Sequence, residues 1–327
     1  MDIPKKYLDQ RIFLNYRNKE IMSNEKWTTA NIPDLTGKVI IVTGGNSGLG
    51  YESVKAFAEK GAEVIMTSRS MEKGEAAKKT IGVVKGKIVV MPLDLMDFAS
   101  VKSFAADFSK KYNRLDVLLN NAGIMTTPYF LTKDGLEAQN GTNHFGHFAL
   151  TGQLFELIKN TPASRIVNVS SMAHKQGKMD FENLLFVNGK GYSPIKSYGR
   201  SKLSNLLFTY ELQRKLESAG IDCIAVAAHP GVSNTNLARY LEDKLIFKIL
   251  KPLMMPFMQS QDMGALPQIR ASVDPHVKGG EYYGPGGFNE MKGFPVRVQS
   301  NSASHSLQDA RKLWEISEKI TGVSFQF

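Results

Sequence analysis

Tyr198 and Lys202 stand four residues apart in Tyr198-Gly199-Arg200-Ser201-Lys202, a spacing that puts a phenol and an ammonium on one face of a helix. Free tyrosine titrates near pH ~10, so a neighbouring ammonium would favour the phenolate and bring it toward working pH. Such a phenol gives a proton to a nascent alkoxide or takes one from an alcohol. Upstream, Asn168-Val169-Ser170-Ser171-Met172 offers the hydroxyl of Ser171 to hold a carbonyl oxygen beside Tyr198. Asn143, in Thr142-Asn143-His144-Phe145-Gly146-His147, is a polar residue inside an apolar helical stretch. An interior asparagine is unfavourable unless bonded, and holding a proton-relay water near Lys202 is one such use. His144 and His147 lack an evident third ligand, so packing is expected there and no metal. A Tyr-x-x-x-Lys pair by itself is a common surface pattern, and its weight comes from what precedes it.

What precedes it is Thr43-Gly44-Gly45-Asn46-Ser47-Gly48-Leu49-Gly50, directly after a β-rich run and before the helix-forming Tyr51-Glu52-Ser53-Val54. Glycines let the backbone approach a pyrophosphate, and amides at a helix start point toward its charge. Gly44, Asn46, Ser47, Gly48, Leu49 and Gly50 are therefore candidates for a dinucleotide's phosphates. The next β-rich run ends Met66-Thr67-Ser68-Arg69-Ser70, without the acid that would bond both ribose hydroxyls of NAD. A carboxylate there would repel a 2′-phosphate, whereas the Arg69 guanidinium binds one, so NADP(H) is the expected cofactor. An oxidised nicotinamide would also help lower the Tyr198 phenol.

The third run ends Met91-Pro92-Leu93-Asp94-Leu95, placing Asp94 and Leu95 where an adenine would sit. The fourth ends Leu119-Asn120-Asn121-Ala122-Gly123, where Asn121, Ala122 and Gly123 permit close backbone contact with the cofactor. After the sixth comes His229-Pro230-Gly231-Val232-Ser233-Asn234-Thr235. Pro230 ends the strand, the backbone at Val232 is placed to meet a nicotinamide carboxamide, and Thr235 offers a hydroxyl.

Positioning these groups requires strands that alternate with helices. Strands are expected at 38–43, 63–68, 87–91, 117–120, 165–170 and 221–228, with helices near 50–60, 71–80, 98–111, 136–159 and 198–218. This pattern is α/β: a Rossmann-type doubly wound parallel sheet with helices on both faces and ligands at the carboxyl ends of its strands. Residues 1–33 read as an N-terminal arm, and 34–327 as one catalytic domain with a helical substrate lid at about 236–262.

Of the 327 residues 42% are hydrophobic and 22% charged, as in a soluble globular protein. The lone Cys223 lies in an apolar run and fits a reducing cytoplasm. No apolar stretch is long enough to span a bilayer. The net charge of +10 is spread without a nucleic-acid-binding motif, and a solvated surface is expected in place of a nucleic-acid partner.

Taken together these residues resemble the short-chain dehydrogenase/reductase family across roughly 35–295, and within it the retinol dehydrogenase and related group. The group resemblance rests on Gly44-Gly45-Asn46-Ser47-Gly48, Thr142-Asn143-His144-Phe145-Gly146-His147-Phe148 and Tyr283-Gly284-Pro285-Gly286-Gly287-Phe288. It implies Tyr198 as acid/base, Lys202 as its electrostatic partner and ribose anchor, Ser171 as donor to the substrate oxygen with Ser170 the adjacent choice, and Asn143 as relay support. The activity implied is NADP-dependent interconversion of an alcohol with an aldehyde or ketone. A noncatalytic NADP sensor or scaffold on the same fold is the alternative, though such a protein usually loses one of these four side chains. The run 245–258 is rich in apolar residues with three methionines, which suits a lipophilic small-molecule substrate. Packing on the protein's own core or a subunit partner, and peripheral docking on a membrane surface, remain open for the same run.

Overall fold

The computed structural model describes residues 26–233 and 258–327. The first strand, β1 (Val39–Val42), reads Val-Ile-Ile-Val and is buried at every position, as a strand covered on both faces must be. It is followed by β2 (Glu63–Ser68), β3 (Lys87–Pro92), β4 (Val117–Asn120), β5 (Ser164–Val169), β6 (Cys223–Ala228), β7 (Tyr282–Pro285) and β8 (Pro295–Arg297). They form one sheet in the order β3-β2-β1-β4-β5-β6-β7-β8. All neighbours are parallel except the last pair, where β8 runs antiparallel to β7. The chain leaves β1 toward β2 and β3 on one side and resumes at β4 on the other. The order therefore reverses beside β1, where an open α/β sheet leaves a crevice at its carboxyl edge.

Both faces of the sheet are covered. On one, Leu49, Val54 and Phe57 of α1 (Gly48–Glu59) and Leu266 and Ile269 of a later helix (Gln261–Val273) pack on Val42 and Met66. On the other, Phe104 and Phe108 of α3 (Phe98–Lys111), Phe148 of α4 (Gly146–Gln153) and Phe208 of α6 (Pro194–Ser218) pack on Ile41, Ile65 and Leu118. Trp314 of the last helix, Leu307–Thr321, joins this second layer. Between these lie α2 (Met71–Ile81) and α5 (Phe155–Lys159), which make the helices at Gln261–Val273 and Leu307–Thr321 α7 and α8.

Six strands and four of the five helices stand near where the sequence puts them, and the structure adds β7, β8, α7 and α8. The stretch 136–159 is not one helix. It is a short turn of helix at Ala138–Asn140, a π-helical segment at Gly141–Phe145, then α4 and α5. The end of the arm is tied down, since Trp27 and Ile32 are buried in the first layer and the Arg270 guanidinium lies 6.0 Å above the Trp27 ring. Among the described residues no helix is long and apolar enough to cross a membrane, and no cluster of three metal-ligating side chains occurs.

Candidate active site

One cleft runs along the carboxyl edge of the sheet, and the loops after β1, β2, β3, β4 and β5 line it together with α6 and Pro230. At one end is the glycine turn. Gly44 has φ +63°, and a Cβ there would press on Ala122. Gly50 has no room for a side chain between the Gly44 carbonyl and the Asn121 amide. α1 begins at Gly48, and the cap residue Ser47 makes no side-chain capping bond. The first-turn amides, which have no partners within a helix, thus open on the cleft together with Asn46.

Arg69 lines the cleft at the end of β2, exposed and without an ion pair to another described residue. Asp94 and Leu95 follow β3 on the same wall, with Asp94 Oδ1 accepting the Met96 amide at 3.0 Å.

The floor is built on Thr43. Its hydroxyl oxygen accepts the amides of Asn121 (2.8 Å) and Ala122 (2.9 Å) and lies 2.9 Å from His147 Nε2. The other ring nitrogen, Nδ1, is 3.0 Å from the Asn143 carbonyl, which only accepts, so Nδ1 carries the proton and Nε2 accepts from Thr43. Burial holds this imidazole neutral, pushing it down to about 4. His147 is therefore more than packing: it ties the π-helical segment to the floor. Its position four residues after Asn143, on the same helical face, was the available signal. Gln268 supports the floor from α7, donating to Asn121 Oδ1 at 2.9 Å, and nothing local in the sequence marks it.

At the other end stand Tyr198, Lys202, Ser170 and Gly123. The Ser171 hydroxyl stands near enough to Tyr198 to favour its phenolate and accepts the Ala173 amide at 3.2 Å. Ser170 instead donates to the Lys202 carbonyl at 2.8 Å, holding α6 against β5. Lys202 Nζ donates to the Val169 carbonyl at 2.9 Å and lies 5.8 Å from the Tyr198 ring centre. Asn143 Oδ1 accepts the Ile124 amide at 2.9 Å, while Nδ2 donates to the Ile124 carbonyl (3.0 Å) and Ser201 Oγ (2.9 Å). A Cβ on Gly123 would lie 3.1 Å from Asn143 Oδ1 and 3.6 Å from Lys202 Nζ, so the two groups face one small space.

The titration differs from the expectation. Burial pushes Tyr198 up to about 12, with the Ser171 hydroxyl working against it, and burial pulls Lys202 down to about 8. Loss of water outweighs the lysine's attraction, because the ammonium is engaged by the Val169 carbonyl and stands off the ring. The phenol in this structure is a protonated acid.

Residues 38–245 match the family described as short chain dehydrogenase. The chain belongs to that family. Among its relatives, this short-chain dehydrogenase is 35% identical to retinol dehydrogenase 12 of Mus musculus over 302 residues, covering 91% of this chain and 90% of that one. It is 37% identical to retinol dehydrogenase 11 of Homo sapiens, covering 88% and 87%. A crystal structure of an uncharacterised protein from Mycobacterium paratuberculosis superposes with TM-score 0.78 at 39% identity, covering 93% of this chain and all of that one. The fold is shared with the Pseudomonas aeruginosa RhlG/NADP active-site complex, with TM-score 0.62, 21% identity, and coverage of 76% and 94%.

One assignment parts from the cleft of this dehydrogenase, and others lie outside the described residues. The Val232 amide is given to the Met291 carbonyl at 2.8 Å and its carbonyl to the Gln259 amide at 2.9 Å, so this backbone does not line the cleft. Thr235 lies outside the described residues, as do 236–257 of the expected lid and all of the run 245–258 except Met258. The loop 175–194 is fixed from α6, since Arg200 donates to the carbonyls of Lys178, Asn183 and Leu184.

The cleft's donor set fits a nicotinamide dinucleotide. Unpaired helix amides suit a pyrophosphate at one end, and acid, ammonium and hydroxyl stand together at the other. Thr142 Oγ1, buried at the cleft wall without a hydrogen-bond partner among the described residues, adds an unused polar atom.

Proposed function

We propose that this dehydrogenase interconverts a lipophilic alcohol with its aldehyde or ketone and prefers NADP(H). The observation that carries the reading is the buried Tyr198 with Lys202 one helical turn on, at the far end of a cleft that starts in a glycine turn, and with the Ser171 hydroxyl near the phenol. When bound, the dinucleotide supplies or takes up the hydride. Ser171 holds the substrate oxygen and Tyr198 hands it a proton. A phenol pushed up by burial is in the protonated form that donation requires. Lys202, cationic below about pH 8, stabilises the phenolate left behind. Asn143 holds the Ile124 backbone and Ser201 in place and faces the space beside Lys202, where it supports a proton-relay water.

Preference for the 2′-phosphate is supported by Arg69, unpaired at the end of β2, and by the absence of an acid in 66–70. A lipophilic substrate is supported by the apolar Ile124, Met125 and Pro230 along the cleft, and by relatives named for retinol, itself a lipophilic alcohol. The test is oxidation of NADPH and NADH by straight-chain aldehydes of increasing length. NADPH should give the higher kcat/KM, rising with each methylene by up to about 0.8 kcal/mol until the pocket fills. A flat chain-length profile would remove the substrate class, and equal use of NADH would remove the cofactor preference.

A further inference from the structure

The tract Tyr283-Gly284-Pro285-Gly286-Gly287-Phe288 is distinctive in the sequence, and the chemistry above makes no use of it. It runs from β7 into the turn Phe288–Glu290, whose backbone is costly: Asn289 and Glu290 have φ of +48° and +57°. Two consecutive non-glycine residues in the left-handed region need something to hold them. The hold is the Glu290 side chain. Its Oε2 lies 3.0 Å from Nε2 of His229, a residue only 1% exposed; the contact is off the line of a hydrogen bond, and neither atom makes one among the described residues. Its Oε1 lies 3.4 Å from Lys175 Nζ. His229 Nδ1 accepts the Gly231 amide at 3.2 Å, which leaves the ring proton on Nε2, facing the carboxylate. Burial disfavours the imidazolium, and the contact is a neutral N–H on a carboxylate. A Cβ on Gly284 would overlap this imidazole, which explains a glycine at that point of the tract.

The two residues that Glu290 contacts each adjoin the reacting end of the site in the sequence. His229 immediately precedes Pro230, which lines the cleft with Tyr198, and Lys175 stands four residues after Ser171. The backbone repeats the connection. Val232 donates to the Met291 carbonyl (2.8 Å), Gln259 to the Val232 carbonyl (2.9 Å) and Gly293 to Gln259 Oε1 (3.0 Å), while Gln259 Nε2 reaches the Pro230 carbonyl at 2.7 Å. The segments 230–233, 258–259 and 291–293 are thereby one bonded patch.

We propose that Glu290 is a positioning residue, which through His229 and Lys175 fixes the 288–291 turn and with it the spacing between Pro230 and the Ser171–Tyr198 pair. That this is the substrate's end of the cleft rests on the function proposed above. Glutamine keeps a polar oxygen beside the His229 N–H and alanine does not, so the two variants separate that contact from the loss of the carboxylate's charge.

The experiment compares full-length wild type, Glu290→Gln, Glu290→Ala and Glu290→Asp, the last too short to span both partners and the substitute if the alanine variant does not fold. Hydrogen exchange at Val232, Gln259 and Gly293 should quicken about tenfold or more in Glu290→Ala, with β1 unchanged and Glu290→Gln near wild type. KM for the aldehyde should rise about tenfold in the same variant, while kcat and the dinucleotide Kd move less than about threefold, and glutamine should restore it. Unchanged exchange at the three amides overturns the clamp whether or not the protein turns over an aldehyde. Faster exchange with an unchanged KM overturns its link to the substrate. A wild type inert toward every carbonyl would remove the proposed function and leave the exchange to decide the clamp.

Discussion

Tyr198 concentrates the chemistry in one proton. Burial keeps that proton on the phenol, the Ser171 hydroxyl favours its release, and Lys202 waits one turn away with its ammonium on the Val169 carbonyl. Tyr198→Phe removes the proton and little volume. The variant should keep its fold and its NADPH affinity while turnover falls about 10²- to 10⁴-fold, as for loss of a general acid. Measuring kcat beside the NADPH Kd checks this, and near-normal turnover would dismiss the mechanism. Arg69→Asp exchanges a phosphate partner for a carboxylate that suits a free ribose. Discrimination should shift toward NADH by roughly 1–3 kcal/mol in the ratio of specificity constants, and a ratio that stays put would reduce Arg69 to a surface charge. These residues are legible in the sequence because each is set by its distance from a local landmark: a glycine turn, a strand end, one helical turn. What Val232 and His147 bond to is not legible in that way. Their partners, Met291 and Thr43, come from other parts of the chain, and only folding brings them together.

Strands with long apolar runs announce themselves, as Val39–Val42 and Cys223–Ala228 do. Those that lean on a neighbour do not: β7 reads Tyr-Tyr-Gly-Pro and β8 Pro-Val-Arg, and both owe their form to pairing outward from β6. α7 is hidden by Gly264 and Pro267, ordinarily signs of a turn. Gly264 is needed there because a Cβ would overlap the Ser233 hydroxyl. α8 is held by Trp314, 5.2 Å from the Phe148 ring and 4.7 Å from the Phe325 ring, with Lys215 above it at 4.9 Å. Trp314→Ala should cost about 3–5 kcal/mol of stability. Because α8 lies on the second layer, away from the cleft, NADPH affinity under native conditions should hold. A loss below about 1 kcal/mol in chemical unfolding would show that α8 docks by other contacts.

At the scale of the whole molecule, one sheet with two covered faces buries several histidines so deeply that they stay neutral. His144 and His147 are pushed down to about 3 and about 4 by burial, and His174 to about 4 by the same cause. Unfolding returns each ring to water and to a value near ~6.5. Between these limits the unfolded chain binds more protons than the folded one, so stability rises with pH there. The contribution is complete above about pH 6.5 and drains as pH falls toward about 4, by about 1 kcal/mol per pH unit for each fully buried ring. Carboxylates whose values the fold lowers, among them Asp116 and Glu281, act in the same direction but only once pH nears their own unfolded range. Acid sensitivity should therefore begin before carboxylates titrate. His144→Phe isolates the effect, because the ring already packs edge-on against Phe145 and Phe208, and its partner Ser317 keeps a bond to the Leu313 carbonyl. Urea unfolding from pH 7 to pH 4.5 should show wild type losing stability from about pH 6.5 downward, and the variant losing less over the same range. Parallel curves for the two proteins would place the acid sensitivity elsewhere than in His144.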